Sequence, residues 1–287
     1  MTIKTAVSSY SFYRVSGMPQ FDCIKKAKEM GFDGIEFSGL SPREGESVTD
    51  YAKALAAEAK SVGIPIVNYC TGADFLKADS VDKEAERLFE QVDLAAILSV
   101  KTMRHDATFG FKDGTRGTRG FDTEVAKIAD GCRKVTRYAA SKGIKTMIEN
   151  HGQLVQESAR VEKLIHTVAD DNFGQLIDIG NFMCADEAPE LAVGRNAPYA
   201  FHVHVKDFHF KWGNGPDPGE GWFKTRAQNY IRGAIVGHGV VPIVQCLKIL
   251  KANGYDGYVS IEFEGMEDPI NAIRIGLDNL KRYIELA

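Results

Sequence analysis

Four short apolar runs in this 287-residue chain end on charged residues that alternate with aliphatic ones: TMIEN at 146–150, QLIDIGN at 175–181, AFHVHVKD at 200–207 and YVSIEFEG at 258–265. Successive side chains of a β-strand face opposite sides, so each run sorts into an apolar set and a polar set. Ile148, Ile177, the trio Phe201, Val203 and Val205, and the trio Val259, Ile261 and Phe263 make up the apolar side. Glu149, Asp178, the trio His202, His204 and Lys206, and the trio Ser260, Glu262 and Glu264 make up the other. If the strands are neighbours, carboxylates and imidazoles converge on one mouth. Unpaired buried carboxylates are costly, so the convergence calls for a compensating cation. A divalent metal is the compact solution; an internal salt-bridge network through Lys206 or Arg104 is the alternative. Carboxylate oxygens beside an imidazole form a hard, mixed donor set that suits manganese first, then magnesium or cobalt, with zinc also allowed.

Elements must exist to hold those residues. An amphipathic helical stretch, a glycine and a short apolar run recur in AKEMGFDGIEF, AKSVGIPIVNY, AASKGIKTMIEN and LKANGYDGYVSIEF. Glycine suits the left-handed residue that ends a helix, and the run after it suits a strand buried on both faces. Filling in between gives strands near 4–9, 33–37, 64–70, 101–105, 144–149, 174–178, 200–206 and 257–262. Helices fall near 19–30, 47–62, 80–99, 121–142, 157–170, 186–196, 240–253 and 268–285. Strict alternation implies a parallel sheet, and eight units imply a closed (β/α)8 TIM barrel rather than an open doubly wound sheet. No G-x-G-x-x-G opens a helix after the first strand, which argues against a dinucleotide fold. No linker-like tract divides the chain, so residues 1–287 read as one domain. Its one long connection is 208–237, about thirty residues, a length usually reserved for function. That segment carries Trp212, Trp222 and Tyr230 among glycines and prolines, so the tryptophans are candidates for closing over a substrate or reaching a neighbouring subunit.

Bulk properties narrow the classes. With 44% hydrophobic and 26% charged residues and a formal charge of -4, the chain reads as globular, without the basic footprint of a nucleic-acid binder. Its N-terminus offers no apolar signal core, and no run approaches the ~18 apolar residues of a membrane span, so a cytoplasmic location is expected. Five scattered cysteines form no Cys-x-x-Cys pair and no even framework; Cys70 and Cys184, near strand ends, are the candidates for a nucleophile.

The ordered set GFDGIEF, IENH, DIGN, HVKD and SIEFEG resembles the xylose isomerase-like TIM barrel superfamily of sugar phosphate isomerases and epimerases, with ketose 3-epimerases, inosose dehydratases and, more distantly, endonuclease IV. The resemblance implies that Glu149, Asp178, His204 and Glu262 hold the metal and that Glu149 and Glu262 supply the acid and base. It places Glu36, His151, Lys206 and His238 at the substrate pocket, and implies a homo-oligomer, dimer or tetramer. The nuclease branch carries a further histidine where this chain has Asn181, which argues against nucleic acid as substrate.

The implied chemistry is proton abstraction next to a carbonyl of a small sugar or cyclitol, through a metal-bound enediolate. Returning the proton to the same carbon makes an epimerase; returning it to the neighbour makes an aldose–ketose isomerase. Expulsion of a β-hydroxyl would make a dehydratase, and a non-catalytic sugar-binding module is the rival outside enzymes. A phosphorylated substrate would look for Arg104, Arg116 or Arg119.

Overall fold

A computed structural model describes residues 3–12, 17–111 and 117–287; Arg116, one of the phosphate candidates, lies outside the described residues. Strands β1 (Lys4–Ser8), β2 (Gly34–Ser38), β3 (Ile66–Thr71), β4 (Thr102–His105), β5 (Lys145–Glu149), β6 (Phe173–Asp178) and β7 (Ala200–Val205) run in chain order around a closed parallel barrel. The last barrel strand, β11 (Tyr258–Ile261), joins β7 to β1. Helices α1 (Gln20–Met30), α2 (Val48–Val62), α3 (Val81–Ile97), α4 (Phe121–Ser141), α5 (Ser158–Val168), α6 (Pro189–Asn196), α7 (Ile243–Ala252) and α8 (Pro269–Leu286) alternate with them. The (β/α)8 expectation therefore holds. No described helix is long and apolar enough to cross a membrane.

Local chemistry explains the joints. Ser47 caps α2 by accepting from the Asp50 backbone N–H, Asp50 and Lys60 lie at the helix ends that favour their charges, and Tyr51, Leu55 and Ala59 form the buried stripe. The four junction glycines, Gly31, Gly63, Gly143 and Gly254, have φ of 83, 72, 71 and 81°, the left-handed helix ends that the repeated motif required.

Parity holds along the strands with one correction. Val203, Val205, Val259 and Ile261 pack in the layer between barrel and helices, as expected. Phe201 does not. The β6–β7 register skips it, pairing Gln175 with Ala200 and Leu176 with His202, so β7 bulges there. Its ring turns to the barrel interior against Cys70, Met147 and Leu176, with the Lys145 ammonium 4.5 Å from its centroid. An apolar plug thus closes the lower barrel beneath the polar residues.

The long connection after β7 is folded where the sequence suggested only a loop. Strands β8 (Asp207–Lys211), β9 (Phe223–Lys224) and β10 (Tyr230–Ala234) form an antiparallel sheet in the order β8-β10-β9. Gly233 lets β10 run against the chain after β11; a Cβ there would lie 2.6 Å from the Glu264 carbonyl oxygen. The return to α7 is held by Asp207, whose carboxylate accepts from the backbone N–H groups of Phe208, Gly237, Gly239 and Val241 at 2.8–3.1 Å. Removing it strands four donors at a largely buried site. Asp207→Ala is expected to cost about 3 kcal/mol or more, read from the urea midpoint at unchanged slope; a loss below about 1 kcal/mol would show that water replaces the carboxylate.

His105 is fully buried on the outer face of β4, edge-on to Phe75 at 6.0 Å, with Nδ1 donating to the Asp106 carbonyl oxygen at 2.8 Å. Burial pushes its pKa down from 6.5 to about 4. The unfolded chain therefore binds this proton first as pH falls, so the contribution of neutral His105 is complete above pH 6.5 and lost towards pH 4. Roughly 3 kcal/mol of stability should disappear across that window. Chemical denaturation of wild type and His105→Leu at pH 7 and pH 4.5 checks this; equal pH dependence in both would exclude His105 as the source.

Candidate active site at the barrel mouth

The inward-facing ends of β5, β6, β7 and the segment after β11 bring Glu149, Asp178, His204 and Glu262 together, with one ligand-type atom of each within 4.8 Å of all the others. Asp178 and His204 are sealed from solvent, Glu149 is 6% exposed and the Glu262 side chain 12%. Asp178 Oδ2 and His204 Nδ1 are buried with no hydrogen-bond partner, although they lie 3.9 Å apart. Two orphaned polar atoms facing each other, amid further carboxylates, fit a divalent cation with oxygen and nitrogen donors.

The cationic side chains anticipated as an alternative are also there. Lys206 Nζ lies 2.8 Å from Glu262, 3.4 Å from Glu264 and 3.5 Å from Asp178. Arg104, inward on β4, bridges Glu149 at 2.6 Å and Asp106 at 2.7 Å. Among the described residues, the two cations Lys206 and Arg104 are in contact with or close to six buried or nearly buried carboxylates in this part of the lumen: Glu36, Asp106, Glu149, Asp178, Glu262 and Glu264. Six minus two leaves four negative charges before any histidine protonates. Salt bridging and metal binding are therefore compatible, and the lysine and arginine alone do not balance the site.

Protonation follows from the same crowding. Burial, reinforced by Glu149 and Glu262, pushes the Asp178 carboxyl up to about 6 against the opposing pull of Lys206. Burial would also raise Glu262, but Lys206 and His204 hold it well below the usual carboxylate range. For His204 burial works downwards, and Glu36 and Glu262 overcome it to raise the imidazole well above its ordinary value. Cys70 and Cys184 are pushed up to about 12 by burial first, which leaves neither as a thiolate nucleophile.

A cavity of about 640 Å³ opens beside the cluster, lined on the barrel side by His151, Asn181, Lys206 and Glu264. Asn181 donates to Glu149 Oε1 at 2.8 Å and accepts from Lys206 at 3.3 Å, so it couples the two charged halves. His151 Nδ1 lies 3.1 Å from Asp106, and its ring meets Phe109 edge to face. Burial would lower the His151 pKa, but Asp106 and Glu149 raise it. Asp106 and Asn181 were not among the site residues expected from sequence, and Arg104 was expected only as a salt-bridge or phosphate partner. Strand parity applied to TMRHD at 102–106 would have turned Arg104 and Asp106 inward with the rest.

Other expected residues lie elsewhere. Glu36 sits fully buried beneath His204 and does not line the cavity. His238 is exposed on the turn folded round Asp207. Trp212 is 70% exposed, stacked edge-on with Phe210. Trp222 lies within 5.6 Å of the cations of Lys211 and Arg232. The insert reaches the cavity through Phe223 and the turn 225–228 instead. That turn is anchored: Asp186 accepts from Thr225 Oγ1 at 2.7 Å, Ala227 N at 2.5 Å and Asn229 Nδ2 at 2.9 Å. Arg226 pairs with Glu157 and donates to the Gln153 carbonyl at 2.6 Å. Arg119, a phosphate candidate, pairs with Glu124 at 2.8 Å on the outer surface.

The family model for the xylose isomerase-like TIM barrel matches residues 24–283. The chain belongs to the xylose isomerase-like TIM barrel family. It is 28% identical over 261 residues to the inosose dehydratase of Bacillus thuringiensis (strain Al Hakam), covering 86% of this chain and 82% of the relative. With the inosose dehydratase of Clostridium beijerinckii it shares 30% identity over 155 residues, covering 52% of this chain and only about half, 49%, of that relative. Among solved structures, the 3-keto-D-glucoside 4-epimerase YcjR of E. coli superimposes with a TM-score of 0.73 at 20% identity, covering 98% of this chain and all of the other. The sequence relatives named here are thus dehydratases, and an epimerase shares the fold.

The Asp186 anchor makes the cavity wall testable. Asp186→Ala should cost roughly 2 kcal/mol of local stability and speed hydrogen exchange at the Ala227 and Asn229 amides while β6 stays protected. Unchanged exchange would mean that Arg226 alone holds the turn.

Proposed function

We propose that this protein is a divalent-metal-dependent isomerase or epimerase that removes a proton next to the carbonyl of a keto-sugar or keto-cyclitol. The observation that carries this reading is the buried Glu149–Asp178–His204–Glu262 cluster, with its orphaned donors, beside a polar cavity. When bound, a divalent ion there, manganese by preference for this donor set, would supply Lewis-acid stabilisation of the negative charge that develops on the carbonyl oxygen.

The chain's own residues divide the remaining work. Glu262 is the more exposed of the two glutamates, 12% of its side chain against 5% for Glu149, and Lys206 at 2.8 Å keeps it ionised, so it takes the proton from carbon. Glu149, oriented by Asn181 and Arg104, serves the opposite side of the substrate: it takes up a proton from solvent in exchange for its contact with Arg104 and gives that proton to carbon, while the proton on Glu262 returns to solvent. Lys206 and Arg104 also supply positive charge beside the developing enediolate. The anchored 225–228 turn narrows access of water.

Loss of water is the second reading. The alignment with inosose dehydratases favours it, and so does the His151–Asp106 pair on the cavity wall, which can deliver a proton to a departing hydroxyl. Both readings share the first proton transfer and separate at the product.

Incubation of the manganese-loaded protein with a panel of ketoses, keto-glycosides and inososes in D2O, followed by NMR, tests the reading. Deuterium next to the carbonyl of recovered substrate or its epimer supports the isomerase or epimerase; an unsaturated ketone supports the dehydratase. Glu149→Gln and Glu262→Gln should each slow the exchange by at least about 10²-fold. Near-normal exchange in both variants, with metal bound, would refute the two-glutamate mechanism.

A further inference from the structure

One carboxylate inside the barrel is left without a role by this mechanism. Glu36, on β2, is completely buried one layer below the cluster. Its Oε1 lies 2.6 Å from His204 Nε2, and its Oε2 lies 2.8 Å from His202 Nε2. Ser260 Oγ donates to the same Oε2 at 3.2 Å, and Asn68 Nδ2 at 3.4 Å. Four side chains from β3, β7 and β11 therefore converge on one carboxylate, which cannot swing away from His204 without abandoning the others.

From this geometry we infer that Glu36 is a positioning residue for the metal centre: it holds the His204 ring so that Nδ1 faces Asp178 and Glu262. The argument rests on the metal reading above. An imidazole has two nitrogens, and the one that carries hydrogen is decided by the neighbour it meets. Glu36 Oε1 and His204 Nε2 lie 2.6 Å apart with neither satisfied by a hydrogen bond as the ring stands; a small turn of the ring that aligns the pair puts the hydrogen on Nε2. The lone pair then belongs to Nδ1, the atom that lies 3.9 Å from Asp178 Oδ2 and 3.7 Å from Glu262 Oε2. A carboxylate behind a ligating histidine fixes its tautomer and ring orientation and raises its donor strength. His202 serves a different end. Its Nε2 meets both Glu36 Oε2 and Ser260 Oγ, at 2.9 Å for the latter, and so braces the carboxylate at the oxygen that does not face His204.

Substituting such a supporting carboxylate typically weakens metal binding by roughly 10–100-fold. Cobalt(II), whose visible absorption reports ligand geometry, can be titrated into metal-stripped wild type, Glu36→Gln and Glu36→Asp, with folding checked by circular dichroism. The expected result is one ion per wild-type chain and a dissociation constant raised roughly 10–100-fold in Glu36→Gln, with an altered absorption band. Glu36→Asp, which retracts the carboxylate, should weaken binding less, and it decides the matter if the Gln variant does not fold. Affinities within about threefold of wild type for every folded variant would overturn the inference. So would two ions per wild-type chain falling to one in Glu36→Gln, because Glu36, His202 and His204 would then be ligands of a second site. If wild type itself binds no cobalt, it is the metal reading that fails.

Discussion

The constraint on which this molecule turns is electrostatic: the barrel closes its own hydrogen bonds and leaves a lumen in which, among the described residues, six carboxylates lie with the two cations Lys206 and Arg104. Closure of the parallel sheet satisfies the backbone, so the interior is free to be polar, but among the described residues Lys206 and Arg104 alone do not neutralise it. The apolar plug of Cys70, Met147, Leu176 and Phe201 below, and the folded insert above, keep water from doing so cheaply. A divalent ion at Glu149, Asp178, His204 and Glu262 would offset half of that excess and would also be the Lewis acid of the proposed reaction.

The rest of the architecture can be understood as support for that point. Arg104 and Asn181 fix Glu149, Lys206 spans Glu262, Glu264 and Asp178, and Asp207 ties the insert's return to the start of α7. These contacts come from different strands, so the site forms only when the barrel closes. Asp186 and Arg226 extend the same logic outward, since they fasten the cavity wall to the loops after β5 and β6.

Much of this was legible in the sequence because two physical rules act locally. The helix-ending glycines located the strands, and the period-two alternation of TMIEN, QLIDIGN, AFHVHVKD and YVSIEFEG turned Glu149, Asp178, His204 and Glu262 inward. What escaped depended on pairing. The bulge at Phe201 is a register event between β6 and β7, invisible in either strand alone. The antiparallel sheet in 208–237 was hidden because its two-residue strand β9 and glycine-rich turns carry too little pattern. Glu36 has the right parity to enter the lumen, yet only the depth of its residue in the barrel places it under His204 instead of at the cavity wall. His238 and Trp212, chemically apt in isolation, lie on exposed turns and strand ends that no local rule locates.

The central claim is that one divalent ion at the mouth offsets part of the anionic excess there. Elemental analysis of the purified protein, with wild type and His204→Ala dialysed side by side against manganese, tests it most directly. The account predicts close to one ion per wild-type chain, lost in the variant, and a melting temperature that falls in wild type on chelation because an ion bound only by the folded state stabilises it. A wild-type protein that holds no ion, and whose melting temperature responds to neither manganese nor chelator, would contradict it.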